Sequence, residues 1–376
     1  MKPWIVGAGL VAACAGARPL AAPAPAGPSG GVETTVFLIG DAGAPAPAGE
    51  PVLHALAEAL GNAWGRRVVV FLGDNVYPRG LPDSTAPDRA EMERRINAQM
   101  DVVAAGRARG IFVPGNHDWA KHGPDGWNAI RRQGRWIAGR GTADLALLPA
   151  DGCPGPAVVD VDSRVRLILL DTQWWLHGGP KPLGPGSGCR AGDERAVADS
   201  LHADLESAGG RAVIVAAHHP LISAGEHGGF FGIEDHVFPL RAVKPWLWIP
   251  LPGLGSIYPL ARQNGVSNQD QSNPTNQRMV GRFEAAMRDH PPLVWASGHE
   301  HNLEVLDGTS ARWLLVSGAG IYHHEGPTFG RTSLRFGSGD AGFMRIEFLA
   351  DGRARLGVMT VDREGRSRER FSLWLE

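Results

Sequence analysis

Residues 68–78 read VVVFLGDNVYP. Val68 to Leu72 are apolar at five successive positions, and the run stops abruptly at Gly73-Asp74-Asn75. Neighbouring side chains on a strand point to opposite sides, so such a run is a strand buried on both faces. The same grammar recurs along the chain. Val36–Ile39 runs into Gly40-Asp41, and Ile111–Val113 into Gly115-Asn116-His117-Asp118. Val213–Val215 leads to His218-His219-Pro220, and Leu293–Trp295 to Gly298-His299-Glu300-His301. Between them lie helical patterns. Pro51 to Trp64 places Leu53, Leu56 and Leu60 on one face, while Asp88 to Ala105 and Asp193 to Ala208 are charged and amphipathic. Buried strands alternating with helices predict an α/β fold. In such sheets ligands collect outside the carboxyl ends of the strands, so all five polar clusters are expected at one crevice. Gly40, Gly73, Gly115 and Gly298 each precede a candidate ligand and read as sharp turns out of a strand. Near the C-terminus, Phe343–Leu349 and Arg355–Val361 alternate as a hairpin around Asp351-Gly352, expected to close a sheet edge.

Composition bounds the function. The 376 residues carry 37 basic and 39 acidic side chains, 33 of the bases being Arg, which leaves no electrostatic footprint of a nucleic-acid binder. Twelve Trp and twelve Phe exclude disorder throughout. No uncharged apolar stretch approaches the about 18 residues a membrane-spanning helix needs. The N-terminus reads as an export signal: Met1-Lys2, an apolar run from Trp4 to Ala13, then small residues. Cleavage fits after Ala15-Gly16-Ala17, or before Cys14, where Val11-Ala12-Ala13-Cys14 resembles a bacterial lipobox and makes Cys14 the lipidated first residue. Residues 15–31, rich in Ala, Pro and Gly, read as a tether of roughly 50 Å at about 3.1 Å per residue. The expected organisation is a signal over 1–14, a tether over 15–31 and one domain over 32–376. Removing the leader leaves Cys153 and Cys189, which in an exported chain favour pairing over free thiols.

The groups gathered by the five strand ends are Asp41, Asp74, Tyr77, Asn116, His218, His299 and His301. Carboxylate, phenolate, amide oxygen and imidazole suit Fe, Mn or Zn better than Ca or Cu(I). Seven donors exceed one tetrahedral site and suffice for two ions sharing a carboxylate.

The order GD-x-G, GDN-x-Y, GNHD, H-x-P and GHEH across residues 40–301 resembles the calcineurin-like metallophosphoesterases, and among them the purple acid phosphatases of the small tartrate-resistant type. The resemblance implies a four-layer α/β/β/α sandwich. Most of that family begins D-x-H; here Gly43 stands at the histidine position, and Tyr77 falls where purple acid phosphatases place a phenolate. It implies Asp41, Tyr77 and His301 on Fe(III), Asn116, His218 and His299 on a divalent ion (Fe, Zn or Mn), and Asp74 bridging. His117 matches a histidine that contacts phosphate and protonates the leaving oxygen, with Asp118 orienting it, and His227 matches a second such histidine. His219 and Asp171 read as structural, and His323 and His324 as candidates for the pocket edge. The implied activity is hydrolysis of phosphomonoesters by attack of a metal-bound hydroxide. A phosphodiesterase or pyrophosphatase on the same site is the alternative, and a non-catalytic surface binding protein a more distant one.

Residues 229–277 depart from the small phosphatases. Val243–Leu260 carries four prolines, which argue against a helix or central strand, and a polar Asn/Gln-rich run follows. A lid, a membrane contact through Trp246, Trp248 and Tyr258, and a partner interface are the three readings.

Overall fold

A computed structural model of the chain describes residues 31–141, 144–242, 246–251, 253–324 and 326–375. The export signal, Cys14 and all of the tether but Gly31 lie outside the described residues, as do Val243–Pro245 and Pro252. Among the described residues, fourteen strands form two seven-stranded sheets. The first opens with β1 (Val32–Ile39), β2 (Arg66–Phe71), β3 (Arg109–Phe112) and β4 (Leu145–Leu147). The second holds β5 (Ala157–Asp160), β6 (Val165–Leu169), β7 (Ala212–Ala216), β8 (Val294–Ser297), β9 (Leu303–Asp307), β10 (Trp313–Ser317) and β11 (Leu334–Ser338). The chain then returns to the first sheet with β12 (Gly342–Leu349), β13 (Ala354–Val361) and β14 (Ser367–Leu375). Strand order is β14-β13-β12-β1-β2-β3-β4 in one sheet and β11-β9-β10-β8-β7-β6-β5 in the other. The helices are α1 (Pro51–Asn62), α2 (Arg89–Ala105), α3 (Gly126–Ala138), α4 (Thr172–Leu176), α5 (Glu194–Glu206), α6 (Ile233–Val237), α7 (Ile257–Gln263) and α8 (Pro274–Met287). None of the described helices is long and apolar enough to cross a membrane.

The doubly apolar strands explain the layering. Val68 and Val70 pack with Val36, Leu38 and Ile111 against Leu167, Leu169, Ile214 and Ala216 of the other sheet. The alternate residues Val69 and Phe71 join Phe37, Ile39, Leu53, Leu56 and Leu60 beneath the helices. Each strand thus feeds two cores, one between the sheets and one under a helical layer, which gives the α/β/β/α sandwich.

Two expectations are corrected. The 343–361 hairpin does not close an edge: β12 pairs antiparallel with β1 in the sheet interior, and β14 lies beyond β13 as the outer strand. The proline-rich insertion does contain helix, because Pro259 occupies the first turn of α7, where its missing N–H has no carbonyl to serve. The irregular segment ends at Asn273, whose side chain caps α8 by accepting from Thr275 N, with Pro274 as the first helical residue. Cys153 and Cys189 are joined in a disulfide that closes a 36-residue separation.

Candidate metal centre

The carboxyl ends of β1, β2 and β3 from one sheet meet those of β7 and β8 from the other, so the crevice lies where the two sheets abut. Contact there is backbone to backbone. Gly40 N donates to Ser317 O across the sheets at 2.6 Å, while Gly298 N to His218 O at 3.0 Å continues the β7–β8 pairing of the second sheet. A Cβ on Gly40 would stand 3.0 Å from Gly298 Cα, and one on Gly298 2.5 Å from an Asp41 carboxylate oxygen. The expectation that all four glycines make the turns is therefore corrected. Only Gly73 has positive φ, at 94°; Gly40, Gly115 and Gly298 permit close approach instead. The left-handed turns fall on the candidate ligands themselves: Asp41 (φ 59°), Asp74 (φ 53°) and His299 (φ 70°). Such strain in non-glycine residues clusters at functional sites, where the surrounding fold holds it in place.

Two triads flank Asp74. In the first, the Tyr77 hydroxyl donates to Asp41 Oδ1 at 2.9 Å and lies 3.2 Å from His301 Nε2, itself 3.5 Å from Asp41 Oδ1. In the second, His218 Nε2 is 2.9 Å from Asn116 Oδ1, and His299 Nδ1 is 3.2 Å from both. Asp74 Oδ1 sits 3.5 Å from His218 Nε2. All seven predicted ligands are thus brought together, and Asp41, Asp74 and His218 offer atoms within 4.8 Å of one another.

The donor chemistry calls for cations. His218 Nδ1 lies 2.9 Å from the Leu72 carbonyl and must donate to it, so in a neutral ring Nε2 is a lone pair aimed at another acceptor, Asn116 Oδ1. A proton serves two such atoms; a metal ion serves all three. Asp41 and Asp74 are buried, and among the described residues neither pairs with an Arg or Lys. Burial, reinforced by the charge of Asp74, pushes the Asp41 carboxyl up to about 8, against the pull of His218. At Asp74 burial works the same way, but His218 and His117 prevail and hold its carboxyl below the usual range. Burial, then Asp41 and Asp74, raise the Tyr77 phenol well above 10. Burial also holds His299 and His301 in their neutral, ligating form.

The other predicted residues divide. His117 N donates to Asp74 Oδ1 at 2.8 Å, and the His117 ring packs 4.3 Å from Tyr77. Its Nδ1 is 2.7 Å from the Pro78 carbonyl, which places the Nε2 edge 3.8 Å from Asp74 Oδ2. Asp118 does not orient that ring. Its carboxylate accepts from the backbone of Gly115, Asn75 and Val76 and from the side chains of Asn75 and Gln133, so it ties the Asp74 loop to the Asn116 loop. His219 spends both ring nitrogens on Thr172 Oγ1 (2.7 Å) and Gln269 Oε1 (2.8 Å). Asp171 accepts from Trp174 N and Trp119 Nε1. His324 lies tilted against His301 at 4.1 Å and edge-on to Tyr77 at 5.2 Å, whereas His323 packs on Tyr322. His227 lies over His299 with ring centroids 4.0 Å apart. Arg262, Tyr258 and Asp270, which sequence reasoning missed, gather behind it from the insertion.

Two abutting sheets with a cluster of buried carboxylates, imidazoles and a phenol at their shared rim define a metal-dependent phosphoesterase. The sequence matches the calcineurin-like phosphoesterase family over residues 34–335, and the chain belongs to that family, hydrolases that use a dinuclear metal centre. No curated protein matches the sequence. Among solved structures it is similar to GAP50, the anchor in the inner membrane complex of Plasmodium (TM-score 0.54, 16% identity, 92% of this chain and 89% of that one). It is also similar to the purple acid phosphatase PPD1 of yellow lupin (Lupinus luteus) seeds (0.54, 14%, 92% and 54%), spanning about half that enzyme's length. A third likeness is to PhoD (0.53, 10%, 91% and 69%). At these identities the likeness is one of fold.

Proposed function

We propose that the chain is an exported dinuclear phosphatase acting on phosphomonoesters. Asp41, Tyr77 and His301 would hold a ferric ion and Asn116, His218 and His299 a divalent one (Fe, Zn or Mn), with Asp74 as the carboxylate the two would share. The observation that carries this reading is the pair of triads on either side of Asp74, each with its donor atoms 2.9–3.5 Å apart. The ferric choice rests on Tyr77: a phenol whose pKa is raised by burial and two carboxylates ionises only against a strongly charged cation. When bound, the ions supply Lewis acidity toward a phosphoryl oxygen and water. The chain's own residues do the rest. His117, fixed through Pro78, presents Nε2 beside Asp74 and brings a proton to the leaving oxygen. His227 adds a second imidazole at the rim, and Asp118 holds the two ligand loops in register.

Export through residues 1–14, lipidation at Cys14 and a tether over 15–31 complete the proposal. The Cys153–Cys189 disulfide supports an oxidising compartment. We read the insertion as a lid, since Arg262 Nη2 donates to His227 Nδ1 at 2.8 Å and Gln271 N to His227 O at 2.9 Å. The test is metal analysis and a visible spectrum of the native protein, with turnover of p-nitrophenyl phosphate against bis-p-nitrophenyl phosphate. Two ions per chain, a charge-transfer band and preference for the monoester are expected. Preference for the diester would replace the phosphomonoesterase reading by a phosphodiesterase one.

A further inference from the structure

Arg262 stands on α7, in the segment that departs from the small phosphatases, and it reaches the metal centre through His227. Its Nη2 donates to His227 Nδ1 at 2.8 Å, its Nε to Asp270 Oδ1 at 2.6 Å and its Nη1 to the Tyr258 hydroxyl at 2.6 Å. Asp270 is 1% exposed and also accepts from Ser267 N at 3.2 Å. The guanidinium, on a side chain 12% exposed, is thus clamped on three sides.

A guanidinium has five donors and no acceptor. The imidazole nitrogen it faces at 2.8 Å, with the Asp270 carboxylate farther off at 3.4 Å, therefore accepts, which leaves the proton of the neutral ring on Nε2. That nitrogen has no hydrogen-bond partner among the described residues, and the ring lies over His299, a member of the second triad. An imidazole in this form donates a hydrogen bond well and a proton poorly, because losing Nε2–H would leave an imidazolide.

We infer that Arg262 is a positioning residue that fixes His227 in its Nε2–H form as a hydrogen-bond donor to a phosphoryl oxygen of the substrate, leaving proton delivery to His117. The substrate part rests on the proposed phosphatase reading; the arginine–histidine part does not. The insertion thereby belongs to the catalytic apparatus of this chain.

Two measurements test this. Imidazole 15N spectra of the full-length zinc-loaded protein, with His227 assigned through H227Q, are expected to give the Nε2–H form; a proton on Nδ1 overturns the inference without any variant at Arg262. Kinetically, R262M should lower kcat/KM for p-nitrophenyl phosphate and for an alkyl phosphate by the same factor, about 10- to 100-fold for one charge-assisted contact. Inhibition by orthophosphate should weaken alongside, and R262K should recover most of both. A loss confined to the alkyl ester, whose leaving group needs the proton, would make His227 the acid and sink the inference. Wild-type protein that turns over neither ester would remove the phosphatase reading, while the spectra still decide the role of Arg262.

Discussion

His218 Nε2 and Asn116 Oδ1 stand 2.9 Å apart, and with the histidine's Nδ1 proton committed to the Leu72 carbonyl a neutral ring sets two acceptors face to face. His299 Nδ1 completes the triangle at 3.2 Å from each. One proton on His299 Nδ1 satisfies at most part of this triangle, whereas a metal ion there would serve all three atoms at once. His218→Ala should therefore lower metal affinity by at least about 100-fold, the upper range seen when mere supports of a ligand are lost, and abolish turnover. Elemental analysis beside the activity assay checks it. Full metal content and full turnover in the variant would mean that protons alone hold the triangle.

Tyr77→Phe separates the ferric assignment from the fold. The hydroxyl meets Asp41, His301 and Asp74, while the ring packs on His117, so the substitution leaves the packing in place. The iron-loaded variant should keep its circular dichroism and lose its visible charge-transfer band. A band that survives unchanged would show that no phenolate from Tyr77 reaches the iron.

Much of this was legible in the residues because a strand buried on both faces must be apolar at successive positions. Val36–Ile39, Val68–Leu72 and Val213–Val215 each announce themselves that way. Which sheet they join is a different matter: β1 and β7 read alike yet lie in opposite sheets, since pairing is set by partners distant in sequence. The seven candidate ligands were legible because each follows such a run. The direction of Asp118 was not, for adjacency to His117 says nothing of where a carboxylate points when five N–H groups compete for it. Arg262 was invisible for a related reason. The insertion has no long periodicity, and Arg262 acquires meaning only from tertiary contact with His227 and Asp270.

Gly40→Ala probes the seam between the sheets. The new Cβ would meet Gly298 Cα at 3.0 Å and Ser317 O at 3.2 Å, both backbone atoms with little freedom to yield. Overpacking of this kind costs about 1–3 kcal/mol. Metal affinity should fall as well, because Asp41 and His299 flank the contact and share a 2.8 Å hydrogen bond. Gly61→Ala is the control. It lies in α1 with open space around its Cβ, so it should stabilise by about 0.5–1 kcal/mol. Denaturant unfolding of both variants decides it; equal effects would remove the argument from close approach.

The pH dependence of the metal-free protein follows from its buried carboxyls. Burial pushes Asp41 and Asp171 up to about 8 and Glu304 up to about 7. Unfolded, these groups titrate near about 4, so across the window from about 4 to about 8 the folded chain binds more protons. Stability must then fall as pH rises through that window, because each group has to ionise where burial disfavours it. Asp74 has the opposite sign: its lowered pKa contributes stability that is present above the unfolded value and lost as pH falls through the folded one. In chelator, Tm should decline from pH 5 to pH 8. With metal bound, Asp41 is ionised against a cation throughout, so its share of the decline should vanish and the curve should lie higher and flatter. Asp41→Asn should flatten the chelated curve in the same way without raising it through metal. A chelated Tm that climbs from pH 5 to pH 8 would mean these carboxyls are already ionised in the folded chain, and that the crevice holds its negative charge without help from bound ions.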